Sequence, residues 1–335
     1  MARHPTVSHS PPHNPTTRSR LVHARIAPQT KQRKRATMTD TGKPILLDGG
    51  MGQEIVNRGG KGGYGEWAVA AVYEDADLVR QIHCDYIRAG ADVITTNTYG
   101  TTRTRLRHAG IESRFEELAR TAGELAVAAR AECGRPEVRI AASLPPLEAS
   151  YANEFALSFD ETAAQFGELM DLLAPYVDIF LGETLSTSFE ARAFLQAAAE
   201  RDKAVWLSLT LDDHGSTDLR GGESLAAVIC DFGAPAPDAL LINCTTPDSI
   251  SCALPLLRAR GIPFGAYANG FVEIPDDWEE EGGVVQLSSR ADLPPKVYAG
   301  HAEGWIDAGA AIVGGCCEIG PAHIARLRQL IDSGV

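Results

Sequence analysis

The chain has 335 residues, 31 Lys and Arg against 44 Asp and Glu, a net charge of −13 and 44% apolar residues. That length supports one large core or two ordinary ones, and the composition is that of a soluble globular protein rather than a disordered or fibrous chain. No apolar run approaches the roughly 20 residues of a membrane helix, the first residues lack the apolar stretch of a secretory signal, and seven irregularly spaced cysteines argue against a disulfide framework and for a reducing, cytoplasmic compartment.

Residues 1–37 carry eight basic side chains, from Arg3 to Arg35, and no acidic one. Rich in Pro, Thr, Ser and His and without apolar periodicity, they read as a disordered basic tail. A targeting peptide or nucleic-acid arm fits that composition loosely; a leader ahead of a start at Met38 fits it more simply. Residues 38–335 hold 23 basic and 44 acidic groups. A body that acidic makes nucleic acid and anionic membrane poor partners.

From residue 44 onward, short β-branched runs alternate with helical patterns. Eight runs can be counted, at 45–48, 92–98, 138–143, 177–183, 204–211, 239–244, 263–268 and 310–315. Amphipathic stretches between and after them, such as 77–89, 159–174, 188–201 and 321–331, have apolar residues at helical spacing. Several helices hand over to the next strand through glycine, at Gly90, Gly261 and Gly309. The alternation predicts an α/β protein, a single-domain (β/α)8 TIM barrel over residues 38–335. An open doubly wound sheet is the alternative. It would normally carry a phosphate-binding glycine turn directly after the first strand. The string Gly60, Gly62, Gly65 lies too far downstream and reads as a loop.

A barrel gathers its functional side chains at strand C-termini. Those ends read Asp48, Thr96 and Asn97, Ser143, Glu183, Thr210, Asn243 and Cys244, Asn269, and Cys316 with Cys317. Nearly all are polar. Three cysteines at two strand ends, one pair directly after Gly314 and Gly315, suit a tetrahedral zinc site with one open position. Neighbouring residues on a regular strand face opposite ways, so both Cys316 and Cys317 can ligate only if the backbone turns, which the glycines make easy. The alternative is that cysteines serve as small buried apolar groups. That is the expected role of Cys84, Cys133, Cys230 and Cys252 in or beside helical patterns. For His83, His301 and His323, also in helical patterns, surface or helix-end roles are expected.

The strings Leu46-Leu-Asp-Gly-Gly50, Asp92-Val-Ile-Thr-Thr-Asn-Thr98, Gly182-Glu-Thr-Leu185, Ile242-Asn-Cys244 and Gly314-Gly-Cys-Cys317 resemble the homocysteine S-methyltransferase family, in register from about residue 44 to 331. The resemblance implies a zinc-bearing barrel that methylates the sulfur of L-homocysteine to give methionine, using a small methyl donor. Position by position, it implies Cys244, Cys316 and Cys317 as Zn2+ ligands and Asp48 and Glu183 as the acidic groups holding the homocysteine amino end. It further implies Gly49 as a backbone approach to substrate, Thr96 as a polar contact near the substrate carboxylate, and Trp67 as an aromatic neighbour of a cationic donor. No protein base is required, so no catalytic side chain is assigned beyond the metal-activated thiolate.

Each assignment has a plainer counterpart. Asp48 could cap a turn, Glu183 could be a satisfied rim carboxylate, and Trp67 could anchor its loop. Tyr99 and Tyr267 could line the mouth or fill the barrel. The acidic stretch 273–281, with Trp278 inside it, could be a solvated loop or a lid for cationic donors. The loop Ala142-Ser-Leu-Pro-Pro-Leu-Glu148 departs from the Gly-Ser-x-Gly-Pro turn of many S-methylmethionine-type members, which bears on the donor and not on the metal. A sulfonium donor is favoured over betaine, because the long C-terminal extension of betaine enzymes is missing. A different small thiol or selenol acceptor is a second enzymatic reading, a metal-binding barrel without turnover a third, and homo-oligomerisation stays open.

Overall fold

The computed structural model describes Met1 and residues 42–59, 67–275 and 287–334. The basic tail after Met1, the glycine string at 60–65 and residues 276–286, which take in Trp278 and most of the acidic stretch 273–281, lie outside the described residues. Eight strands and their helices follow in chain order: β1 (Ile45–Leu46), α1 (Met51–Asn57), α2 (Trp67–Glu74), α3 (Ala76–Ala89), β2 (Val93–Thr95), α4 (Arg103–His108), α5 (Phe115–Glu132), β3 (Arg139–Leu144), α6 (Phe159–Leu173) and β4 (Ile179–Leu185). The second half continues with α7 (Ser188–Ala198), β5 (Ala204–Leu209), α8 (Leu225–Cys230), β6 (Ala239–Asn243), α9 (Pro247–Ala259), β7 (Phe264–Tyr267), α10 (Pro295–Asp307), β8 (Ile312–Val313) and α11 (Pro321–Asp332). Every strand falls within one of the eight runs read from the sequence, apart from the final residues of β3 and β4.

All strand pairs are parallel, and the hydrogen-bonded order runs β1-β8-β7-β6-β5-β4-β3-β2. The ring closes between its two ends through a parallel bridge of Leu47 with Val93. Asp92 N–H donates to Leu46 O at 2.7 Å and Asp48 N–H to Val93 O at 3.0 Å across the same seam. The sheet is thus the predicted (β/α)8 barrel.

Side chains alternate across the sheet with period two. Ile45, Leu47, Ile179, Leu181, Trp206, Leu241 and Ile312 point inward and form the plug of the barrel. Leu46, Phe180, Leu207, Leu240 and Val313 point outward into the larger core beneath the helices. Both faces are covered, so the strands read as nearly unbroken apolar runs.

Helix starts follow local chemistry. Asp75, Thr102, Thr187 and Thr246 each accept a backbone N–H in the first turn of the helix that follows. Ser158 and Glu161 form a reciprocal capping box at α6. Gly90 closes α3 at φ 104°, a left-handed value that favours glycine.

Candidate functional site

The C-terminal strand ends open on a cavity of about 170 Å³ walled by Asp48, Gly49, Thr96, Ser143, Glu183, Cys244, Cys316 and Cys317, with Tyr99, Tyr151 and Tyr267 around them. All the sequence-derived site residues except Trp67 therefore meet in one pocket. Trp67 opens α2, and its side chain lies outside the described residues. The helix itself runs beside the mouth, since Val69 presses against Gly100, which lines the cavity.

The sulfurs of Cys244, Cys316 and Cys317 all lie within 4.8 Å of one another, and those of Cys244 and Cys317 are 3.9 Å apart. Four sulfurs at about 2.3 Å from a tetrahedral centre are about 3.8 Å from each other, so this spacing fits a metal ion with three thiolate ligands. Cys244 follows β6 at φ 52°, a conformation that surrounding contacts must hold. Its N–H donates to Tyr267 O at 3.2 Å and its carbonyl accepts Thr210 Oγ1 at 3.3 Å. Cys316 and Cys317 lie in the loop after β8. The turn there is taken at Glu318, φ 65°. Gly314 and Gly315 serve close packing instead: a Cβ on either would sit 2.5 Å from Leu47 Cβ or 2.2 Å from Ile319 Cγ2. Gly314 and Gly315 thus supply close contact rather than the turn expected of them.

Hydrogen bonds from Cys316 and Cys317 hold the Cys244 thiol well below its usual range, against burial, with Tyr151 and the charge of Arg220 acting in the same sense. Cys316 and Cys317 are pushed well above it, because each shares its proton with Cys244. Tyr151 Oη donates to Cys244 Sγ at 3.3 Å and Asn243 Nδ2 points at Cys316 Sγ at 3.9 Å. A cluster that already favours one thiolate, with polar hydrogens aimed at its sulfurs, is suited to a cation that displaces the remaining protons.

Two buried carboxyl groups face the same cavity. Asp48, 2% exposed, accepts Thr95 N–H at 2.7 Å and Thr95 Oγ1 at 3.2 Å. Burial, reinforced by Glu183, raises its pKa well above the carboxylate range despite those bonds. Glu183 accepts hydrogen bonds from Ser143 Oγ and from Tyr267 Oη, the latter at 3.2 Å. Burial pushes its pKa up to about 7. Its position owes something to an irregularity in the β4–β5 register between Gly182 and Leu185, where Thr184 takes φ 61° and is held by the Asn243 side chain. Bulges next to sites re-aim side chains in this way.

Thr96 Oγ1 pairs with Thr98 Oγ1 at 2.8 Å and accepts Ser143 N–H at 3.1 Å, so it braces β2 against β3 while lining the pocket. Gly49 is a glycine because a Cβ there would stand 1.9 Å from Ile319 O. Tyr99 and Tyr267 both line the cavity, and Tyr267 also packs into the plug of the barrel. Tyr151, in the loop after β3, and Arg105, in the first turn of α4, also line the cavity; nothing in their local sequence marked either of them.

Other expectations need correcting. His83 lies inside α3 and is fully buried, with its pKa lowered to about 4 by burial, rather than at a surface or helix end. His323 does serve a helix end, accepting Gly320 N–H at 3.3 Å. Cys84 is buried as expected, but Cys230 and Cys252 are exposed, because they fall on the outer faces of their helices.

A family model described as homocysteine S-methyltransferase matches residues 45–331. The chain is 30% identical to the homocysteine S-methyltransferase of Escherichia coli over 85% of its own length and 94% of that protein's. It is 25% identical to the selenocysteine methyltransferase of Astragalus bisulcatus, over 88% and 94% respectively. Among solved structures it resembles the metallated form of the homocysteine methyltransferase MmuM from Escherichia coli, with a TM-score of 0.71, 27% identity and coverage of 87% of this chain and 97% of that one. Fold, cysteine cluster and similarity along nearly the whole barrel agree: the chain belongs to the homocysteine S-methyltransferase family.

Proposed function

We propose that this protein is a zinc-dependent S-methyltransferase that moves a methyl group from a small sulfonium donor, of the S-methylmethionine kind, to the thiol of L-homocysteine, giving methionine. The observation that carries the reading is the convergence of three cysteine sulfurs within 4.8 Å on a cavity that also holds two buried carboxyl groups. Cys244, Cys316 and Cys317 would hold the ion. Zinc fits because an all-thiolate donor set selects soft or borderline metals and the reaction needs no redox change. A zinc ion with three protein ligands supplies an open position at which a thiol is deprotonated.

The protein's own groups then bind and orient. A homocysteine thiol near the cysteine sulfurs brings its ammonium group toward Asp48 and Glu183, whose ionised forms gain a charge-assisted partner. Ser143 and Tyr267 keep Glu183 in place from either side. The sulfur attacks the donor methyl in line; the C–S bond to the donor breaks, and its electron pair leaves on a neutral thioether. The thiol proton is the only proton released. Positioning supplies much of the remaining acceleration. On the donor side, the family resemblance makes Trp67 the aromatic candidate for the donor cation; Tyr99 and Tyr151 each already carry a guanidinium over one face, Arg105 at 5.4 Å and Arg220 at 4.8 Å.

The test is a donor and acceptor panel. Purified enzyme with homocysteine should demethylate S-methylmethionine faster than betaine, and should methylate homocysteine in preference to selenocysteine. No turnover of homocysteine with any donor, by protein that holds its metal, would remove the reading. Faster turnover with selenocysteine would move the assignment to a selenol acceptor, the activity named for the Astragalus relative.

A further inference from the structure

Outside the pocket wall, in the loop between β5 and α8, lies an ion pair that the chemistry above does not use. Arg220 Nη2 donates to Asp213 Oδ2 at 2.6 Å, and the two side chains are only 8% and 2% exposed. A buried ion pair is a costly way to fill space, since apolar side chains of similar volume commonly do it as well or better. Its connections suggest why this one is present.

Asp213 gathers three strand ends. Its Oδ1 accepts Thr245 Oγ1 at 2.8 Å and Thr246 N–H at 3.1 Å, the two residues directly after Cys244. Its Oδ2 accepts Ile274 N–H at 3.1 Å, from the loop after β7, while Arg220 Nη1 donates to Ile274 O at 3.1 Å. Arg220 also stacks over the Tyr151 ring, 4.8 Å from its centroid, and Tyr151 Oη donates to Cys244 Sγ at 3.3 Å. The pair thus reaches Cys244 twice: through the backbone that follows it and through the phenol on its sulfur. Cys244 is the residue that most needs this, because its left-handed backbone at φ 52° persists only where neighbours over-determine it.

We propose that Asp213 and Arg220 are positioning residues for the metal centre, a buried brace that fixes the Cys244 sulfur at ligating distance from Cys316 and Cys317. The inference rests on the metal-site reading above. It treats Asp213 and Arg220 as the outer shell of the ligand set, where partners of ligands typically tune metal affinity by about 10- to 100-fold. Lysine cannot replace Arg220, because the brace uses the flat face and both terminal nitrogens of the guanidinium.

The experiment is competition for zinc between a chromophoric chelator and the full-length chain, with thermal melting of the metal-free protein in parallel. Wild type is compared with Asp213→Asn, Arg220→Lys, Thr245→Val and Tyr151→Phe. The last two each cut one link without leaving a charge unpaired, so they decide the matter if the first two fail to fold. Expected is one zinc per wild-type chain and affinity at least tenfold lower in Asp213→Asn and Arg220→Lys. Thr245→Val and Tyr151→Phe should lose severalfold while melting, metal-free, within a few degrees of wild type. Wild type that holds zinc alongside Thr245→Val and Tyr151→Phe with unchanged affinity overturns the brace and leaves the functional reading standing. Wild type that holds no zinc overturns both.

Discussion

Glu183 carries the sharpest single-residue consequences. Burial raises its pKa to about 7, so if Glu183 receives the homocysteine ammonium as proposed, the carboxylate it offers in the free protein forms as pH climbs through that value. The KM for homocysteine should therefore fall with rising pH up to and just beyond about 7. Glu183→Gln should raise it by about 10- to 100-fold, the loss of a hydrogen bond to a charged group, and flatten that limb of the profile; a KM profile unchanged by the substitution would count against the ammonium contact. Stability moves the other way. The folded-state pKa lies above the unfolded value, so the stabilising contribution is complete below about 4.5 and lost as pH rises to about 7, roughly 3 kcal/mol for a shift of this size. Metal-free Glu183→Gln should accordingly melt above wild type at pH 8 and close to it at pH 4.5. The same residue illustrates what a sequence can carry. Its position at a strand end was legible from the run 177–183; its hydrogen bonds to Ser143 and Tyr267 were not, because they join strands 40 and 84 residues away in the chain.

At the level of elements, the β8 turn is the most constrained piece of the site. Gly314 packs against Leu47 of the seam and Gly315 against Ile319, so the Cys316–Cys317 loop is held by close contact rather than by glycine flexibility. Gly314→Ala would push a methyl to 2.5 Å from Leu47 Cβ. Overpacking of that kind costs about 1–3 kcal/mol and here should also displace two sulfurs, so zinc stoichiometry should drop together with melting temperature. Retained stoichiometry in a folded Gly314→Ala protein would show the loop to be more tolerant than this packing implies. By contrast Ser158→Ala, at the α6 cap and outside the cavity lining, should cost about 1 kcal/mol and leave homocysteine kinetics alone. Strand–helix alternation was readable because each element has its own apolar period. The left-handed residues Tyr151, Thr184, Cys244 and Glu318 were not, since a non-glycine residue at positive φ is imposed by tertiary contacts and leaves no local signature. Exposure of Cys230 and Cys252 was missed for a related reason: a residue type that prefers the interior says nothing about which helix face it occupies.

For the whole molecule, the barrel brings together cysteine sulfurs 72 and 73 residues apart in sequence, so an ion held by them would be coupled to the fold. An ion that binds the folded chain alone stabilises it by about 2.7 kcal/mol at a hundredfold excess over its dissociation constant. Chelation should therefore lower the melting temperature by several degrees, and a Cys244→Ala protein should melt at the same temperature with and without chelator; an equal chelator response in both would place the ion elsewhere. The acidic balance of residues 38–335 adds a second whole-molecule effect, since a negative field would speed encounter with the proposed cationic donor and be screened by salt. The most direct measurement is zinc-edge X-ray absorption on purified protein, before and after addition of homocysteine. Three sulfur ligands at about 2.3 Å, becoming four with homocysteine, is the result required if Cys244, Cys316 and Cys317 share one ion with the substrate. Fewer than three sulfurs at the start, or no fourth when homocysteine is bound, would contradict it.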